Sequence, residues 1–186
     1  MKIWLETHPK TPQDALISLC ANVARRDPDH IAISFLAAGG MERVRWPGDN
    51  RSGHENWKRS DDLWKHSCFE AFGRAVGEPC YLETNFATSG DWAAYAFYDY
   101  REGMRRVDDI RLIQANWRVR ERHAELHALL QLPRTYRDMN WELGLAAVIE
   151  ERNGNKSYWA LSHPTDKPDF HHPDSFTLEL PAPDAS

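Results

Sequence analysis

The 186-residue sequence predicts an all-β fold, an antiparallel β-sandwich with one helix near its N-terminus. Three observations carry this expectation. Apolar and polar residues alternate at period two through much of the chain, turn signals separate the short runs, and only one window shows a helical stripe. A parallel sheet would need helices alternating with its strands, and the sequence offers no such series.

Taken in order, residues 2–7 form a short first strand. Thr11 is a candidate cap, Pro12 suits a first helical position, and Ala15, Leu16, Leu19 and Val23 fall on one stripe, so residues 11–26 are expected to be helical. Residues 31–36 form the next strand. The polar stretch 47–62 reads as a long loop, and loops of that length in a compact domain are usually functional or mobile. Its second half carries Trp57, Lys58 and Arg59 and is placed to fold over a ligand. Residues 64–72, 81–86 and 92–98 are strands, the last two joined by the turn Thr88-Ser89-Gly90-Asp91. Residues 119–130 alternate as one long half-buried strand. Residues 143–149 and 157–161 flank Asn153-Gly154, a hairpin signal. A final strand at 175–180 precedes a tail, 181–186, that is expected to fray. Residues 1–180 read as one domain.

Composition narrows the function. Lys and Arg number 23 against 28 Asp and Glu, a net charge of −5, which gives no basic field for a nucleic acid. Three Cys cannot make a disulfide framework. The start, Met1-Lys2-Ile3-Trp4-Leu5-Glu6, lacks the apolar stretch of a signal peptide, and no apolar run is long enough to span a membrane. The expectation is a soluble cytoplasmic protein.

Strand parity supplies the candidate site. Residues separated by even steps share a face, so Trp64, His66, Cys68 and Glu70 fall together, as do Tyr81, Glu83 and Asn85 on the following strand. A short connection pairs the two strands antiparallel and puts Trp64, Glu70, Glu83 and Asn85 on one polar-aromatic surface. Such a surface suits a sugar, whose C–H face packs on indole while carboxylates and amides bind its hydroxyls. Residue by residue the blander outcome is commoner: a Trp on a sandwich strand is usually core, and a strand Glu or Asn is usually solvated.

A resemblance favours the site. Asp62-Leu63-Trp64-Lys65-His66-Ser67-Cys68-Phe69-Glu70-Ala71-Phe72 and Tyr81-Leu82-Glu83-Thr84-Asn85-Phe86-Ala87-Thr88-Ser89-Gly90-Asp91-Trp92 resemble the DOMON-like group related to family 9 carbohydrate-binding modules. The similarity continues through Tyr100-Arg101-Glu102-Gly103-Met104-Arg105, Tyr158-Trp159-Ala160-Leu161-Ser162-His163-Pro164 and residues 167–176, covering about residues 60–180. It implies a jelly-roll-like β-sandwich that binds sugars or haem. In the carbohydrate modules a Trp and a Glu six residues later contribute to the sugar clamp, the spacing of Trp64 and Glu70. The second clamp aromatic falls where this chain has Phe170, His171 and His172. Members close to this sequence are labelled relatives of a peptidoglycan-precursor reductase, but no Gly-x-Gly-x-x-Gly follows a strand here to bind a flavin.

The expected function is non-catalytic recognition of a small saccharide or glycan precursor by Trp64, Glu70, Glu83, Asn85, Phe170, His171 and His172, with no cofactor and no catalytic or metal-binding residue assigned. Three alternatives stand beside it. Glu70 and Glu83 would serve an enzyme of cell-wall sugar metabolism as acid and base. Haem would need a Met–His pair, drawn from Met104 or Met139 with His163 or His171. A divalent metal would draw on His163, Asp169, His171 and His172. Cys68 reads as a small buried filler, and Arg118, Arg120 and Arg122 as a solvated face.

Overall fold

The regular structure grows from runs of β-branched and aromatic residues broken by Gly, Asn, Asp and Pro, residues that strands tolerate poorly and turns need. The computed structural model describes residues 2–48 and 56–183. Within them lie β1 (Ile3–Thr7), β2 (Leu16–Asp27), β3 (His30–Gly39), β4 (Lys58–Arg59), β5 (Cys68–Ala75), β6 (Tyr81–Ala87) and β7 (Asp91–Phe97). They continue with β8 (Arg105–Arg106), β9 (Arg111–Val119), β10 (His123–Gln131), β11 (Trp141–Glu150), β12 (Lys156–Ala160) and β13 (Leu178–Leu180). The chain is all-β, and its only helical turns among the described residues are short 3-10 pieces. No described helix is long and apolar enough to cross a membrane.

The strands form one curled sheet in the order β4-β7-β6-β5-β11-β12-β1-β2-β3-β10-β9, with β8 on β7 and β13 on β11. β1 joins its two halves. Ile3, Trp4 and Leu5 pair with β2, whereas Glu6 and Thr7 pair with β12. The halves face each other across an apolar core, where Phe35 and Trp117 of one half meet Phe69 of the other at ring-centroid distances of 5.1 and 5.9 Å. Trp46 packs on Trp117 at 4.9 Å and extends the same cluster.

Two sequence expectations need correction. The predicted N-terminal helix is strand β2. A bulge against β3 inserts Ile17, 75 % exposed, so that Leu16 and Leu19 are both buried although three residues apart. That three-residue spacing imitates a helical stripe. The predicted long strand at 119–130 is instead the end of β9, a tight turn, and β10, with Arg118 opposite Glu125. The alternation persists across the turn because both strands show the same face to the core.

The long polar loop also differs in its described part. Lys58–Arg59 adds to β7 as a parallel edge, Arg59 lies over the Trp92 ring at 3.8 Å, and its guanidinium donates to the Ile110 carbonyl at 2.6 Å. Residues 49–55 of that loop lie outside the described residues. So do residues 184–186 of the expected tail, while Ala182 N–H is tied to Asn140 Oδ1 at 2.8 Å.

The halves differ on their outer faces. β3 alternates strictly between buried and part-exposed residues, as a sheet with one solvated side should. β6 is buried at every position. Its second face is covered by the segment at 161–176, whose Phe170 and Phe176 join Phe72, Tyr81, Tyr95 and Phe97 in a separate apolar cluster.

Candidate functional site

Register builds the site. Across β5 and β6, Glu70 stands opposite Asn85 and Phe72 opposite Glu83, so parity puts all four on the outer face. β7 extends that face with Tyr95 opposite Glu83 and Phe97 opposite Tyr81. Above it lies a cleft of about 380 Å³. Glu70 and Glu83 line its base, and Trp64, Phe97, Tyr158 and Phe170 supply aromatic wall. Arg101, Met104, Pro168, His171 and Val148 complete the lining.

The sequence-predicted residues separate as follows. Trp64, Glu70, Glu83, Phe170 and His171 all line the cleft. Trp64 reaches it from the 3-10 turn Leu63–Lys65, which Asp62 opens with φ of 62°, and not from an extended strand as the parity argument assumed. Its indole meets Tyr95 edge-on at 5.9 Å. Asn85 is fully buried beneath the cleft and donates from Nδ2 to Glu83 Oε1 at 2.7 Å. His172 does not line it: its Nδ1 accepts the Asp174 N–H at 3.2 Å and its ring lies edge-on to Tyr100.

The carboxylates sit where water cannot solvate them. Glu70 and Glu83 are 3 % and 4 % exposed, in place of the solvated strand acids that base rates favour. Burial pushes the Glu70 carboxyl well above its usual range, and the neighbouring Glu83 charge adds to the rise. Burial likewise raises Glu83, to about 7, against the opposing pull of the Asn85 hydrogen bond and the Arg101 charge. Two acceptors remain without partners: Glu70 Oε1 and Asn85 Oδ1 are inaccessible and unbonded. In a folded interior such atoms are exceptional.

His171 has a defined state. Burial, reinforced by the Arg101 charge, lowers its pKa to about 4, so the ring is neutral at pH 7. Tyr81 Oη accepts the Arg101 backbone N–H at 3.1 Å and lies 2.8 Å from His171 Nδ1. Burial raises the phenol to about 12, so it keeps its proton at pH 7. His171 Nε2 lies 3.9 Å from Glu83 Oε2.

Parity alone missed Phe97, and Arg101, although part of a motif that carries the resemblance, received no role in the site. The latter stands in the left-handed region at φ 56°, and its guanidinium donates to Asp169 Oδ1 at 2.8 Å. Tyr100 donates to the other oxygen of Asp169. Together these contacts strap the loop after β7 to the covering segment. Gly103, at φ 65°, closes that loop; a Cβ there would lie 2.0 Å from the Tyr98 ring.

Most of the remaining candidates lie apart. His163 donates from Nε2 to the Glu6 carbonyl at 2.8 Å, fixing the covering segment to β1, and His8 Nε2, just beyond that strand, lies 3.1 Å from the Thr165 carbonyl. Met139 packs against the inner core, whereas Met104, 55 % exposed, lines the cleft together with His171. Among the described residues no three His, Cys, Asp or Glu side chains converge as a metal site. Cys68 is buried with its thiol pKa raised, chiefly by burial. A larger groove, about 690 Å³, crosses the outer face of β2, β3, β9 and β10, but its lining includes Asn22, Ser34, Asn116 and His127 and no Trp, Tyr or Phe.

No family model and no curated protein matches the sequence. Among solved structures the fold is similar to that of a candidate carbohydrate-binding protein from Bacteroides uniformis ATCC 8492. The TM-score is 0.64 at 12 % identity, over 95 % of this chain and 84 % of the other. At that identity the likeness establishes a shared fold.

Proposed function

We propose that the outer-face cleft binds a carbohydrate, or a similarly polyhydroxylated small molecule, without transforming it. One observation carries this reading: aromatic walls stand over a base formed by two buried carboxyls. Sugar recognition asks for that pairing. Ring C–H groups bury apolar area on an aromatic face, while the Glu70 and Glu83 carboxyls that line the cleft offer partners for hydroxyls. The neutral His171 imidazole in the lining adds a further polar partner for hydroxyls. The shared fold with a candidate carbohydrate-binding protein supports the reading, as does the resemblance to DOMON-like and family 9 modules, which would make the curled sheet a single jelly-roll-like domain.

The test is a titration of the intact chain with mono-, di- and amino-sugars, followed by tryptophan fluorescence and thermal shift. Saccharide binding is expected, with its loss in Trp64→Ala while the circular dichroism spectrum is unchanged. Undiminished affinity in that variant, or stabilisation by haem or a divalent cation and by no saccharide, overturns the assignment.

A second reading has its own observation. Two carboxyls with raised pKa values share one cleft, the environment that acid–base catalysis uses. Hydrolysis of oligosaccharides by the wild type, abolished in Glu70→Gln with binding retained, would favour an enzyme.

A further inference from the structure

We infer that the cleft is a groove for a linear oligosaccharide, of which a single sugar fills only a part. The inference rests on the saccharide reading and adds the length of the ligand. Register gives the groove its course. Phe97 of β7 stands opposite Tyr81, and Glu83 is two residues on from Tyr81 along β6. Glu83 stands opposite Phe72, and Glu70 is two residues from Phe72 along β5. Glu70 stands opposite Ala146, Val148 is two residues on along β11, and Val148 stands opposite Tyr158 of β12. Phe97, Glu83, Glu70, Val148 and Tyr158 all line the cleft. They form one diagonal row over neighbouring strands, in the order β7-β6-β5-β11-β12. Diagonal steps are about 7–8 Å and the last, direct step about 5 Å, so the row runs on the order of 25 Å. One pyranose ring covers a fraction of that line.

The walls keep to the two sides of the row. Tyr95 and Phe72 flank Glu83 in the ladder, one on each side. Trp64 meets Tyr95 edge-on at 5.9 Å and so stands on the first bank. His171 meets Phe72 and Phe97, both at 5.2 Å, on the second bank. Phe170 continues that bank, 6.5 Å from Phe72 and 6.0 Å from Tyr158. At the Phe97 end Met104 is 55 % exposed and the Arg101 side chain 51 %, so that end opens to solvent. A pocket for one sugar would gather its aromatic rings around a point. Here they are strung from Phe97 to Tyr158, with the two carboxyls between. A chain of sugar rings meets that order, its C–H faces on the aromatics and its hydroxyls on the carboxyls.

The experiment is isothermal titration calorimetry of the whole chain at pH 7 with linear β-1,4-linked oligomers of glucose and of N-acetylglucosamine, from monomer to tetramer. In the series that binds, the tetramer is expected to bind at least about tenfold more tightly than the monomer. Tyr158→Ala is expected to cut that tetramer-to-monomer ratio about fivefold, whereas damage to the fold would weaken every length alike. Affinities that do not change with length, or a ratio that survives in Tyr158→Ala, overturn the groove assignment and leave the saccharide site standing. Absence of binding by every oligomer of both series removes the saccharide reading, and this inference with it.

Discussion

The two halves of the sheet are built from the same kind of strand and end in opposite states. β3 and β10 bury one face against the shared core and leave the other to solvent, where Ser34 and His127 stand. β5, β6 and β7 bury both faces. The extra cover is the segment at 161–176, pinned by His163 to β1 and by Asp169 to Arg101. Covering a sheet face that carries two acids is costly for folding, and a site is a reason for retaining it. The proposed site lies where the sheet is covered, and the open face is the internal control.

Removing the cover's anchor tests the contrast most severely. Phe72 is 1 % exposed and its ring meets those of His171, Phe176 and Phe170 at 5.2, 6.1 and 6.5 Å. Phe72→Ala is expected to lower unfolding free energy by about 3–5 kcal/mol in urea titration. A loss under 1 kcal/mol would mean that the cover is not packed on this face.

The buried acids sharpen it through pH. Because the Glu83 pKa is raised in the folded state, the folded chain binds more protons than the unfolded one between the ordinary glutamate value, 4.5, and about 7. Stability is therefore lost as pH rises through that window, by roughly 3 kcal/mol from this one group. Glu70 acts in the same direction. His171, lowered from 6.5 to about 4, acts oppositely: its contribution is present above 6.5 and lost as pH falls through about 4. Glu83→Gln should flatten the decline, so that variant and wild type match near pH 4.5 and the variant is the more stable at pH 8. Parallel curves for the two proteins would show that Glu83 ionises freely.

The smallest effect belongs to the open face. His127, whose side chain is 60 % exposed, opposes Ser34 and Asn116 in the ladder. His127→Ala should change stability by no more than about 0.5 kcal/mol and leave saccharide titrations unaltered. A larger shift, or lost binding, would move the functional face to the other half.

How much of this was legible beforehand follows from range. Period-two alternation found β5 through β7 and β11, because those signals are local, and parity alone put Glu70, Glu83 and Asn85 together. It could not reveal that they are buried, since the cover arrives from the far end of the sequence. The β2 bulge hid a strand behind a helical spacing for the converse reason: inserting one residue changes the phase that periodicity reads. Arg101 owes its place to a left-handed backbone and a partner at Asp169, neither of which leaves a pattern in sequence. Of residues 51–62, expected to fold over the ligand, 51–55 lie outside the described residues, while Lys58–Arg59 pairs with β7 and Trp57 packs against the inner core.

The division of β1 between two partners sets an order in time. Ile3–Leu5 can zip onto β2 as soon as β2 exists, but Glu6 and Thr7 wait for Ala160 and Trp159, which a ribosome delivers much later. Until then the path of the sheet from β11 to β1 is open at β12, and an unpaired edge is open to strangers. Closure of the curl is therefore a late event that depends on distant pairing, the kind that slows folding. A nascent chain stalled before residue 156 would hold a nearly finished first half and an acid-bearing second half still awaiting its lid.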